Sequence, residues 1–136
     1  MYLLDTNIVS ELRRVRPHGG VLAWLQGVAD RDLYLCAVTL GEIQAGIENT
    51  RLRDAAKAAE IEAWLDQVAG SYHILPVDGA AFRLWARLMH GRTDHIIEDA
   101  MITAVARVND LIVVTRNIKD FEGFGVRLLN PFDMTA

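Results

Sequence analysis

The sequence predicts an α/β protein: a central, mainly parallel β-sheet with helices on both faces, three layers in all. Three observations carry this. Five short apolar runs, at residues 2–4, 33–38, 73–77, 111–115 and 126–129, are mostly continuous rather than alternating, as in strands covered on both faces. Stretches of helical spacing separate them, the βαβα order of a parallel sheet. At 136 residues and 51% hydrophobic, the chain can bury one good core, so a single domain over residues 1–136 is expected.

The elements follow in order. YLLDTN opens with a strand at 2–4 that stops abruptly at Asp5, Thr6 and Asn7. A helix over 7–14 follows, capped by Thr6 or Asn7. RRVRPHGG reads as a turn before a helix over 21–28. After the strand at 33–38, Leu40, Ile43 and Ile47 recur at helical spacing within 39–49. Residues 51–68 are rich in Ala, Glu, Leu and Lys, all good helix formers. These two helices form an excursion between strands two and three. Asp78 caps the next helix, which runs to about Met89. Ile97, Met101, Val105 and Val108 then share one face of a helix over 97–108. NIKDFEGFG reads as a loop before the last strand.

Composition narrows the function. The net charge of −4 argues against a surface coated for nucleic acid, while leaving room for a local basic patch. The lone Cys36 excludes an intramolecular disulfide framework and a multi-Cys zinc site, and fits a reducing cytoplasm. No signal peptide and no apolar run of transmembrane length is present, so a cytoplasmic protein without membrane association is expected. Neither GxGxxG nor a P-loop occurs. The four histidines have no metal-ligand spacing: His73 should begin a strand, and His90 and His95 should lie in a loop. Trp24, Trp64 and Trp85 fall in helical patterns and suit packing rather than base stacking. Cys36, ending an apolar strand, should be a buried, inert thiol.

A carboxylate at the end of a buried strand needs a partner or a use. Ligands of open α/β sheets bind beyond the carboxyl ends of the strands. Asp5 ends strand one, and Asn117 and Asp120 follow strand four. Glu42 falls in the first turn of the helix after strand two, and Asp99 near the start of the helix feeding strand four. Carboxylates held together raise one another's pKa, and a divalent cation relieves that repulsion. All-oxygen donors suit Mg²⁺ or Mn²⁺, which serve phosphodiester hydrolysis. Each residue also has a plainer reading. Glu42 closes TLGE, a capping box with Thr39; Glu98 and Asp99 suit a helix dipole; Asp120 suits a turn; Asp5 suits a helix N-cap.

Four blocks, in order and spanning nearly the whole chain, resemble a known family: LLDTNIVSEL, LYLCAVTLGEIQAGI, IIEDAMITAVA and LIVVTRNIKDFEGFGVRLLNPF. They are similar to PIN-domain ribonucleases, specifically the VapC-type and FitB-like toxins of bacterial toxin–antitoxin pairs. The resemblance implies a PIN-like three-layer sandwich and an endoribonuclease dependent on Mg²⁺ or Mn²⁺. It implies Asp5, Glu42 and Asp99 as catalytic acids and metal ligands. Several relatives carry Asp where this chain has Asn117, so the metal set is completed by Asn117 or Asp120. Thr6, Thr115 and Asn7 would support the site. The resemblance further implies a homodimer or toxin–antitoxin hetero-oligomer. A cognate antitoxin would place an Arg-bearing segment in the acidic site and itself supply any DNA binding.

For the RNA substrate, candidate basic contacts are Arg13, Arg14, Arg16, Arg116 and Lys119; Arg13–Arg16 also suit a solvated helix end. Two other functions are weighed. A catalytically weak PIN-like binding module, acting with an antitoxin-like regulator, is kept open by the Asn117 departure. A phosphatase of the haloacid-dehalogenase type would want a second Asp two positions after Asp5; Asn7 stands there.

Overall fold

The computed structural model describes residues 1–134. Five strands form one sheet: β1 (Tyr2–Leu4), β2 (Leu33–Cys36), β3 (His73–Leu75), β4 (Ile112–Val114) and β5 (Leu128–Leu129). Their order is β3-β2-β1-β4-β5, and every pairing is parallel, so the sheet is wholly rather than mainly parallel. Among the described residues seven α-helices surround it: α1 (Thr6–Glu11), α2 (Gly19–Gln26), α3 (Ala37–Arg51), α4 (Ala55–Ser71), α5 (Gly79–Met89), α6 (Ile97–Val108) and α7 (Ile118–Phe121). Among the described residues, no helix is long and apolar enough to cross a membrane.

Successive strand side chains point to opposite faces, so each strand feeds two cores. Leu3, Cys36 and Val113 pack with the small-residue face of α6 and with Phe121 and Phe124. Leu4, Leu33, Leu35 and Val114 pack against Ile8 and Val9 of α1, Val21 of α2 and Val68 of α4. A third cluster, Ile47, Ala58 and Leu65, holds the α3–α4 hairpin together. The three tryptophans all lie in helices and against these cores, and burial pushes the Cys36 thiol up to about 11.

Several helix ends differ from the expectation. α1 is capped by Asp5, whose carboxylate accepts from the Thr6 N–H, not by Thr6 or Asn7. It ends at Glu11 rather than Arg14. Arg13 and Arg14 turn through tighter bonds to Ser10 and Glu11, and buried Glu11 accepts from the His18 N–H at 2.9 Å. α2 starts earlier than expected, capped by the His18 ring, and α4 starts later, capped by Asp54. α3 begins directly after β2, so Thr39 is not a cap and Glu42 stands in the second turn. α7 replaces part of the expected loop, because Phe121 is drawn into the core beside α6.

The C-terminal segment closes over the start of α2. A methyl group on Gly20 would press into the carbonyl oxygens of Met134 and Pro131, 2.7 Å from the latter. Gly20→Ala is expected to lower stability by about 1–3 kcal/mol, the usual cost of overpacking; urea unfolding measures it.

Candidate metal and nuclease centre

Strand order reverses at β1. The chain leaves β1 toward β2 and β3, then returns on the other side to β4. The crevice beyond the carboxyl ends of β1 and β4 is where open parallel sheets hold ligands. Asp5 and Thr115 sit at those two ends, and the Asp5 N–H is tied to the Val114 carbonyl at 2.9 Å.

Asp5 is only 4% exposed. One carboxylate oxygen accepts from the Thr6 N–H at 2.8 Å. The other accepts from Asn7 Nδ2 at 2.6 Å and Thr115 Oγ1 at 2.8 Å. Burial still raises its pKa; these donors offset part of that, and Asp120 adds to the rise. Fully buried Thr115 is saturated: its hydroxyl donates to Asp5 and accepts from the Asn117 N–H at 3.0 Å and Asn7 Nδ2 at 3.3 Å. The Asn7 amide is oriented by the Arg116 N–H, which donates to its Oδ1. Asn7 therefore staples the ends of β1 and β4 as well as holding Asp5.

Glu42 reaches the same rim from α3. Its carboxylate accepts from Thr6 Oγ1 at 2.8 Å. Thr6 has a single hydroxyl proton, so the Thr39 hydroxyl, 3.0 Å away, donates to Thr6 in turn. Thr39, fully buried, thus serves as a relay to Glu42 rather than as a helix cap. Burial raises the Glu42 pKa, with Asp5 and Glu98 adding to it against the Thr6 bond.

Asp99, in the first turn of α6, is pushed up to about 7. Burial is the largest cause, followed by the charges of Asp5, Asp120, Glu42 and Glu98. Four expected acids, from β1, α3, α6 and α7, therefore share one electrostatic neighbourhood, with Glu98 as a fifth. Among the described residues, no ion pair includes any of the five. Nor is any group of three or more His, Cys, Asp or Glu side chains there placed, as the chain stands, to hold an ion by itself. Asn117 precedes α7 and leaves its side chain out of the capping bond, so its oxygen is available at the rim. The donors are all oxygens, crowded, half-desolvated and without a basic partner; such a set fits a hard divalent cation.

Clefts flank the acids. On one side, Arg116 and Lys119 line an open cleft of about 570 Å³ with Asn117 and Asp120. On the other, Arg13 lines a more apolar cleft with Thr6, Glu42 and Trp64. Arg14 is turned back to Glu11 at 3.4 Å, and Arg16 is exposed on the loop. Sequence reasoning gave Glu98 only a helix-dipole role and Thr39 only a cap. Their signals were proximity to Asp99 and to Glu42 in the chain, and only packing of α3 near α6 joins them.

A wholly parallel five-stranded sheet with helices around it and acids at its reversal point defines an open, doubly wound α/β protein, and the PIN domain family model matches residues 2–125. The chain belongs to the PIN-domain family, and within it to the VapC- and FitB-type toxins. It is 32% identical over 139 residues to Toxin FitB of Neisseria gonorrhoeae, covering 97% of this chain and 99% of that toxin. It is also 32% identical over 144 residues to VapC ribonuclease Y4jK of Sinorhizobium fredii, covering 98% and 99%. A solved structure of FitAB bound to an IR36 DNA fragment contains a chain that superposes with a TM-score of 0.81 at 30% identity, covering 100% of this chain and 99% of that one.

Proposed function

We propose that this protein is a Mg²⁺- or Mn²⁺-dependent endoribonuclease toxin that hydrolyses RNA phosphodiester bonds and is neutralised by a cognate antitoxin. The observation that carries it is the gathering of Asp5, Glu42, Asp99 and Asp120 at the sheet's reversal point without a basic partner. The relatives named as a toxin and as a ribonuclease support the same reading.

Asp5, Glu42 and Asp99 would hold the metal, joined by Asp120 or by the amide oxygen of Asn117. When bound, the ion supplies charge stabilisation for the transition state and a more acidic water. The chain's own part is positional. Thr115, Asn7 and the Thr6 N–H fix Asp5; Thr6 and Thr39 fix Glu42. Asp99 would help to orient or deprotonate the attacking water. Arg116, Lys119 and Arg13 stand beside the acids to take RNA phosphates, because the net charge of −4 gives no long-range attraction.

The acidic crevice also fits an arginine offered by an antitoxin segment, which would satisfy in the resting complex the carboxylates that the metal satisfies in the active enzyme. The proposed assembly is a homodimer or a toxin–antitoxin hetero-oligomer in the cytoplasm. DNA is reached through the antitoxin, in keeping with a DNA-bound FitAB assembly. Residues 1–136 act as one domain.

The test is cleavage of total RNA by protein purified free of antitoxin. Cleavage should vanish on chelation and return with Mn²⁺ or Mg²⁺; activity indifferent to both would sink the reading. Asp120→Asn should cost about tenfold in rate, in the range for altered metal surroundings, and Asn117→Ala less. Asp120 is charged and acts on both Asp5 and Asp99. The reverse order would make Asn117 the completing ligand.

A further inference from the structure

Among the described residues, two arginines lie over phenylalanine rings, and both stand beside α7. The Arg116 guanidinium is 4.7 Å from the centre of the Phe132 ring, and the Arg92 guanidinium is 4.7 Å from that of Phe124. Each lines its own cleft, about 570 Å³ for Arg116 and about 340 Å³ for Arg92. The two clefts share Lys119, Asp120 and Glu122, so they adjoin at α7, and the pair is termed the trough.

We propose that this trough seats the single-stranded RNA on both sides of the cleaved phosphate, with Arg116–Phe132 and Arg92–Phe124 as two cation–π platforms. This rests on the nuclease reading and deepens it. A stacked guanidinium offers N–H groups to a phosphate at its edge and its free face to a nucleobase. Both platforms are built. Asn130 accepts from the Phe132 N–H at 2.9 Å, its Nδ2 lies 3.4 Å from the Arg116 carbonyl, and His18 packs on the Phe132 ring. Arg92 donates to the Gly123 carbonyl at 3.3 Å, beside the buried Phe124 ring. Among the described residues, no carboxylate pairs with Arg92, Arg116 or Lys119. Asp120, in both clefts, couples the trough to Asp5 and Asp99.

The trough also contains Glu122, Asp133 and His95. The acids repel phosphate, so the backbone must follow the three cations while neutral bases cross the rest. A duplex keeps its base faces stacked and hidden, which is why the occupant is a single strand.

The experiment uses full-length Asp99→Asn protein with Mg²⁺ and a fluorescein-labelled single-stranded RNA of mixed sequence, read by anisotropy. Arg116→Ala and Arg92→Ala should each weaken binding about tenfold, the scale of one lost stacking contact. Lys119→Ala should reduce the salt slope by about 0.7, one phosphate on a single strand. Arg116→Lys keeps the charge without the plane and should recover only part of the loss. Glu122→Gln should tighten binding, and Arg127→Ala, paired with Asp110 at the amino ends of β4 and β5, away from the crevice, should change nothing. Binding within twofold of the parent for both arginine variants, with loss on Arg13→Ala, overturns the trough while leaving the nuclease reading intact. Wild-type protein that neither binds nor cleaves RNA overturns both.

Discussion

Asp99→Asn should abolish metal-dependent RNA cleavage, by more than about 100-fold, the upper end of what losing an outer partner of a metal costs. The same substitution should make the metal-free protein more stable at high pH. Asp99 is raised from 3.8 to about 7, so its ionised form is disfavoured in the folded state. The penalty is absent below the unfolded pKa, grows as pH rises, and is complete above about 7. The side chain is partly open to solvent, and screening leaves about 1–2 kcal/mol of the nominal shift. Thermal unfolding in chelator should therefore show the variant several degrees more stable at pH 8, with the gap narrowing toward pH 5. Loss of cleavage together with loss of stability would mean that Asp99 holds the fold and not the metal.

Thr115→Val is the second large effect. It keeps the shape of a fully buried side chain and removes a hydroxyl that makes three hydrogen bonds. Asp5 loses a donor, while the Asn117 N–H and one Asn7 proton lose an acceptor. Stability should fall by about 1–3 kcal/mol, and cleavage by about 10–100-fold through the misplaced Asp5. Thr115→Ser, which restores the hydroxyl, should recover most of the activity. If serine fails to rescue, the threonine methyl matters rather than the bond. Urea unfolding and metal titration of the rate separate the two effects, because a displaced Asp5 raises the metal concentration needed.

Much of this was legible in the linear sequence. The five apolar runs are the five strands with their ends trimmed, because continuous hydrophobicity is what two-sided burial demands. α5 with its Asp78 cap and α6 agree closely with their patterns, since an amphipathic face and a capping carboxylate are local signals. Local signals also misled. TLGE carries a good capping box, yet the helix starts earlier and Thr39 turns toward Thr6, a residue 33 positions away in the chain. α7 is four residues long, too short to show a period, and it exists because Phe121 finds a core that only the finished sheet provides.

The sequence by itself determined the strands and the α/β class, which are written in local composition and spacing, and the family, through four blocks that resemble it; it also supplied the acids as candidates. The tertiary structure decided that the acids converge. Asp5, Glu42, Asp99 and Asp120 come within electrostatic reach of one another because β1 lies between β2 and β4, which brings helices far apart in the chain to one edge. The raised pKa values of Asp5, Glu42 and Asp99 follow from that convergence, and three threonine hydroxyls hold Asp5 and Glu42 in place. Burial and proximity belong to the folded chain, and no window of sequence encodes either.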